Sequence, residues 1–179
     1  MFWYVLFVKT SYEHKVVNEI SNTWKLVNSK PYVPLYEAHF KRGGRIYPER
    51  RMFCPGYVFV ESEMSGSDFY RATRKYITLS EHTFKLLCYS GSETFDGSMF
   101  EMKKDDYMTF MQLYNDECCI EMSKGFLEGD SVCITDGSLK GFESRIVSVR
   151  PSKLEAIVEV QMFNQIQCLK VGLEILKKM

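Results

Sequence analysis

The stretch Gly129–Val149, GDSVCITDGSLKGFESRIVSV, decides the fold, because its glycines at 129, 137 and 141 admit two opposed readings. A phosphate-cradling loop would make the protein an enzyme. Turns between short strands would make it a binding module. A P-loop needs Gly, four residues, then Gly-Lys-Ser/Thr. Here Lys140 precedes Gly141, and Phe142 follows it. A dinucleotide loop needs G-x-G-x-x-G between a strand and a helix; here the spacing is wrong and a strand pattern follows. The turn reading fits, since Asp136-Gly137 and Gly141 supply residues that tolerate positive φ.

Around this stretch the apolar pattern has period two. Val132 and Ile134 alternate with polar neighbours, and Arg145, Val147 and Val149 oppose Ile146 and Ser148. Ala156, Val158, Val160 and Met162 line one face of a further run, with Glu155, Glu159 and Gln161 opposite. Asn164-Gln165 reads as a turn into IQCLKV. Short strands divided by turn residues predict a small all-β barrel over 127–179.

Upstream the pattern differs. FWYVLFV at 2–8 suits a strand buried on both faces. Thr10 with Glu13 matches a capping box, and Val16, Ile20 and Trp24 form a helical stripe. Pro31 and Pro34 exclude a helix and predict an edge strand over 30–40. Gly43-Gly44 reads as a turn between extended arms, and Pro55-Gly56 as a turn into another strand. A second helix is expected at 67–77, capped by Ser67 and striped by Phe69, Thr73 and Tyr76. FKLLCYSG reads as a strand. A third helix follows at 103–116, with Tyr107, Met111 and Tyr114 on its core side. The expected fold is therefore α+β: an N-terminal α/β sandwich, its antiparallel sheet flanked by helices, over 1–115; a linker at 116–126; and the barrel at 127–179.

Composition excludes several classes. The 179 residues are 45% hydrophobic and 26% charged, ordinary for a globular chain. The apolar run 2–8 is too short for a membrane span and lacks the flanks of a signal peptide, so a cytoplasmic protein is expected. The six cysteines form no C-x-x-C pair and the histidines at 14, 39 and 82 are scattered, so no metal site, cofactor or catalytic constellation is expected. Zero net charge hides an asymmetry. Residues 1–80 carry 12 Lys/Arg against 7 Asp/Glu, whereas 81–128 carry 4 against 10. A basic N-terminal part is compatible with nucleic acid.

The glycine stretch resembles a KOW motif through Gly129, Asp130, Val132, Ile134, Gly137, Gly141, Phe142, Ile146 and Val149. KOW motifs also occur in ribosomal proteins. WYVLFV, EHKV, Val33-Pro34, KRGG at 41–44 and PGYVFVE at 55–61 resemble, in the same order, the N-terminal domain of the NusG transcription factors. Two positions depart from that family: Cys54, where a large apolar residue is usual, and Ser11, where Gly is common. The basic KRGGRIYPERR points toward the specialised paralogues of the LoaP and RfaH type.

The resemblance implies a monomeric bacterial elongation factor without enzymatic activity. It implies binding to RNA polymerase, at the clamp helices of the largest subunit, through a depression formed here by Phe7, Cys54, Tyr57 and Phe59. It implies processive antitermination at selected operons. Recruitment would come through an RNA hairpin of the nascent transcript, or non-template DNA, bound by a basic face. That face comprises Lys9, Lys15, Arg42, Arg45, Arg71, Arg74 and Lys75, with Tyr12 and His14 placed to stack on a base and Lys140 and Arg145 assisting from the barrel. Ribosomal protein S-ten or the termination factor Rho would engage the barrel. In RfaH the equivalent domain refolds as a helical hairpin; the β-branched alternation at 155–162 favours strands here. A general NusG factor, or a ribosome-associated KOW protein, is the alternative.

Overall fold

The computed structural model describes residues 1–89, 97–129, 131–162 and 165–176, with side chains for all of these except Lys41 and Met162. The elements are, in order, β1 (Phe2–Val8), α1 (Glu13–Asn22), β2 (Ser29–Tyr32), β3 (Leu35–Arg42), β4 (Arg45–Met52), β5 (Tyr57–Ser62), α2 (Gly66–Leu79) and β6 (Thr83–Leu86). There follow α3 (Lys104–Leu113), β7 (Cys119–Ile120), β8 (Ser123–Glu128), β9 (Ser131–Asp136), β10 (Ile146–Arg150), β11 (Glu155–Met162) and β12 (Gln165–Ile175). No described helix is long and apolar enough to cross a membrane.

The chain divides into two units, Met1–Pro34 with Cys54–Tyr107, and Leu35–Phe53 with Met108–Met179. In the first, an antiparallel sheet runs β2-β5-β1-β6. The apolar run of β1 is buried on both faces, as its composition requires. Tyr4 stacks on Phe69 of α2, rings 3.8 Å apart, while Trp3 meets Tyr107 edge-on at 4.7 Å. The stripe Val16, Ile20 and Trp24 is buried as expected.

Four local expectations fail. The Thr10–Glu13 capping box does not form: Tyr12 is the N-cap without a side-chain bond, and buried Glu13 instead accepts from the Gly56 amide at 2.7 Å. Helix α2 is capped by Ser65, not Ser67; its hydroxyl accepts from the Asp68 amide and donates to the Asp68 carboxylate. Helix α3 buries Asp106, Phe110 and Leu113, one residue out of phase with the expected stripe, and Met111 is 49% exposed. The strand expected at 84–91 ends at Leu86, and Ser90 and Gly91 lie outside the described residues.

In the second unit β4-β3-β7 form one sheet and β10-β11-β12-β8-β9 another. The latter is partly consistent with the expected barrel, with β9 and β10 at its edges. Ala156, Val158 and Val160 are buried, and Glu159 and Gln161 exposed, as the alternation predicts. Gly43 and Gly44 both have positive φ and close the β3–β4 hairpin.

The expected domain limits do not describe this arrangement. Hairpin residues 35–53 group with the C-terminal strands, and the stretch 116–126, expected as a linker, holds β7 and the start of β8. The cause is pairing: β7 lies parallel to β3, Glu37 accepts from the Met122 amide at 3.0 Å, and Arg50 meets Glu117 at 2.6 Å.

The deciding stretch forms turns. Gly129, Gly137 and Gly141 have φ of 60°, 94° and 87°. Gly137 is constrained twice, since a Cβ there would approach the Ser123 Cα to 2.5 Å. Its turn drives Leu139 fully into the core, where the Leu139 amide donates to Ser123 Oγ at 2.9 Å. Arg145, expected in a strand, ends a 3-10 turn before β10. Gly137→Ala is expected to lower stability by about 1–3 kcal/mol more than Gly141→Ala, where the space is open. Chemical unfolding of the two variants measures the difference.

Candidate functional site

Where β1 ends, Ser11 takes a left-handed conformation, φ 73°, and turns the chain into α1. Glycine, common at this position in the resembling family, adopts such a φ without steric cost; why serine stands here has no structural explanation. The turn sets the Tyr12 ring on His82, centroids 4.1 Å apart and 24° from parallel. Lys9 Nζ lies 4.8 Å and Lys15 Nζ 5.8 Å from the centre of the Tyr12 ring. Lys15 Nζ also approaches His82 Nε2 at 2.8 Å. The Lys9 amide donates to the His82 carbonyl at 2.8 Å and locks β1 to the approach of β6. Among the described residues, neither lysine has a carboxylate within ion-pair distance.

Arg71, Arg74 and Lys75 share one side of α2 and line an open depression with Thr78 and Leu79. Arg71 pairs with Asp68 at 3.4 Å. Lys75 Nζ lies 4.8 Å from the Tyr76 ring, which stacks on Trp24 at 5.3 Å.

On the sheet, Phe7 and Tyr57 are register partners, their rings 5.5 Å apart. Phe84 of β6 joins them at 5.4 Å from Phe7 and is 54% exposed. This apolar group and the Tyr12 cluster lie in the same unit, and both depend on β1.

A family model described as "Transcription termination factor nusG" matches residues 1–93. The chain belongs to the NusG family. It is thus a transcription elongation or termination factor, from a family that interacts with RNA polymerase. No curated protein matches the chain.

Within this NusG chain the expected site residues separate. Of the four assigned to polymerase docking, Phe7 and Tyr57 are half-buried at the patch, but Phe59 and Cys54 are core. Phe59 packs edge-on against Trp3, because residues 5 and 59 are register partners at the sheet centre. Burial pushes the Cys54 thiol up to about 12. Lys9, Tyr12 and Lys15 come together; His14 is exposed and outside the cluster. Arg42 and Arg45 flank the hairpin turn beside stacked Phe40 and Tyr47, in the other unit from Lys9 and Arg74. Lys140 is exposed in the glycine turns, and the Arg145 guanidinium lies 5.7 Å from the Phe142 ring. Of the KOW positions, Val132 is half-buried, Phe142 buried, and Asp130 outside the described residues.

Sequence reading missed His82 and Phe84. Both sit on or beside a short strand, where two or three residues show no period. The pairing of β1 with β6 brings them to the site.

Two outcomes are expected. Glu13→Ala leaves the Gly56 amide without its carboxylate and lowers stability by about 1.5–3 kcal/mol, with Glu13→Gln milder, in thermal or urea unfolding. For Cys54, the folded thiol ionises only near pH 12, above the unfolded value. Its stabilising contribution is therefore full below the ordinary cysteine range and declines as pH rises through it toward 12. Iodoacetamide at mildly alkaline pH is expected to label exposed Cys88 and Cys168 and spare Cys54 until the chain unfolds, as read by peptide mass spectrometry.

Proposed function

We propose that this NusG-family protein is a specialised factor, binding RNA polymerase and promoting processive antitermination at selected operons. It is recruited by a nucleic-acid element, an RNA hairpin in the leader transcript. It carries out no chemistry. The observation that carries this reading is the Lys9–Tyr12–Lys15–His82 cluster, where two ammonium groups, without a carboxylate partner among the described residues, flank a positioned aromatic ring. Lysines meet backbone phosphates, and the half-buried Tyr12 ring between them suits an unpaired base in a loop or bulge. Arg74 and Lys75 extend the charge on α2. An unpaired base of single-stranded non-template DNA would suit the same ring, and the RNA hairpin is the ligand this reading commits to.

The patch of Phe7, Tyr57 and Phe84 is the proposed docking site for the polymerase clamp helices, since exposed grouped aromatics are typical of protein-binding hot spots. The five-stranded sheet is the proposed KOW domain, engaging ribosomal protein S-ten or Rho.

The test has two parts. Leader RNAs captured with the protein in cells are assayed by gel shift. Lys15→Ala and Arg74→Ala are each expected to weaken binding to the enriched hairpin about tenfold, roughly 1.4 kcal/mol. Equal affinity for unrelated RNAs, unchanged by either substitution, overturns the hairpin reading. Separately, Phe84→Asp is expected to abolish polymerase pull-down while leaving the unfolding midpoint in place. Retained polymerase refutes the docking assignment.

A further inference from the structure

The second unit holds a cavity of about 300 Å³ between its β3–β4 hairpin and β12. That volume is at the lower end of small-ligand sites. The floor is apolar and tightly fixed. Leu154 and Val171 are buried, and Gly172 lets β3 approach so closely that a Cβ would meet the Glu37 carbonyl oxygen at 2.6 Å. The aromatic wall is Tyr36 and Phe40, and the rim carries the cations Arg51, Lys153 and Lys170.

The balance of charge on this rim is positive. Its one lining carboxylate, Glu155, is engaged by Arg150 at 2.9 Å. Arg51 is held by Glu49, whereas Lys153 and Lys170 have no ion-pair partner among the described residues. The backbone beside the rim is strained. Leu154, bulky and buried, sits at φ 54°, ψ 41°, and closes the 3-10 turn Pro151–Lys153 that presents Lys153. Its carbonyl is pinned by the Leu173 amide at 3.0 Å. A non-glycine residue in this region costs of order 1 kcal/mol, and such strain clusters at ligand sites.

We propose that this cavity binds a nucleotide. The base lies against Tyr36 and Phe40, and the phosphate meets Lys153 and Lys170. Aromatic wall and ammonium groups together select an aromatic ring carrying an anion, and reject a bare ion or a neutral ring. The nucleotide is either free or one residue of a single-stranded RNA. No residue of the proposed hairpin-binding cluster lines the cavity, so the inference stands apart from that reading.

The test titrates the full chain with adenosine 5′-monophosphate, adenosine and inorganic phosphate, by calorimetry. The monophosphate is expected to bind about tenfold or more tighter than either fragment. The double variant Lys153→Glu/Lys170→Glu and the single variant Phe40→Ala are each expected to lower that affinity about tenfold without moving the unfolding midpoint. Lys15→Ala is expected to leave it unchanged. A short oligo-adenylate that binds tighter than the monophosphate and responds to the same variants assigns the site to an RNA strand. One that binds more weakly assigns it to a free nucleotide. The proposal is overturned if neither binds, if phosphate binds as tightly as the monophosphate, or if both variants keep wild-type affinity.

Discussion

A buried carboxylate fixes the N-terminal unit. Glu13, at the first turn of α1, accepts from the Gly56 amide at 2.7 Å, and the Gly56 carbonyl accepts from the Val8 amide at 2.8 Å. Gly56 is therefore bonded on both sides, at φ +86°, where a side chain would be strained. A carboxyl group buried without a partner would be costly, and the Gly56 amide supplies the hydrogen bond that offsets its burial. The link ties the end of β1 to the start of β5. Tyr12 directly precedes Glu13, and Tyr57 directly follows Gly56. The polar cluster and the aromatic patch are thus positioned from the two ends of one contact.

What the sequence makes legible follows the range of the forces. The buried runs of β1 and β5, the α1 stripe and the glycine turns are local, and each is visible as a period or a backbone requirement. The capping box at Thr10 was misleading because its pattern carries no information about Gly56, the distant partner that Glu13 takes. The phase of α3 was misread because Met111 and Tyr107 are as apolar on paper as Phe110 and Leu113, and buried Asp106 argued against the true face. The stretch 116–126 looked like a linker because β7 is two residues long. Its pairing comes from β3, far away in the chain.

The candidate sites divide in the same way. Charge is visible in composition, so Lys9, Lys15 and Arg74 are legible as basic positions from the sequence alone. Exposure is not. Phe59 and Phe7 alternate identically on strands that the sequence places in one sheet, yet Phe59 lies under Trp3 and Tyr32 and Phe7 reaches the patch. Cys54 is buried for the same reason: it lies at a turn whose interior side is decided by packing.

Four of the basic side chains share one arrangement. Lys9 and Lys15 lie over Tyr12, Lys75 over Tyr76, and Arg145 over Phe142. A cation held by a ring face is restrained by about 0.5–1 kcal/mol at an exposed site. A salt bridge would restrain it by a similar amount, but the two differ in what remains. Asp68 largely neutralises Arg71, leaving less attraction for an incoming phosphate. A ring restrains the side chain and leaves its charge intact. A surface built this way keeps its cations ordered and still electropositive, which lowers the entropic cost of meeting a polyanion without lowering the charge that attracts it. For this chain the informative property of a basic residue is therefore its partner: a ring restrains the cation and leaves its charge intact, and a carboxylate offsets it.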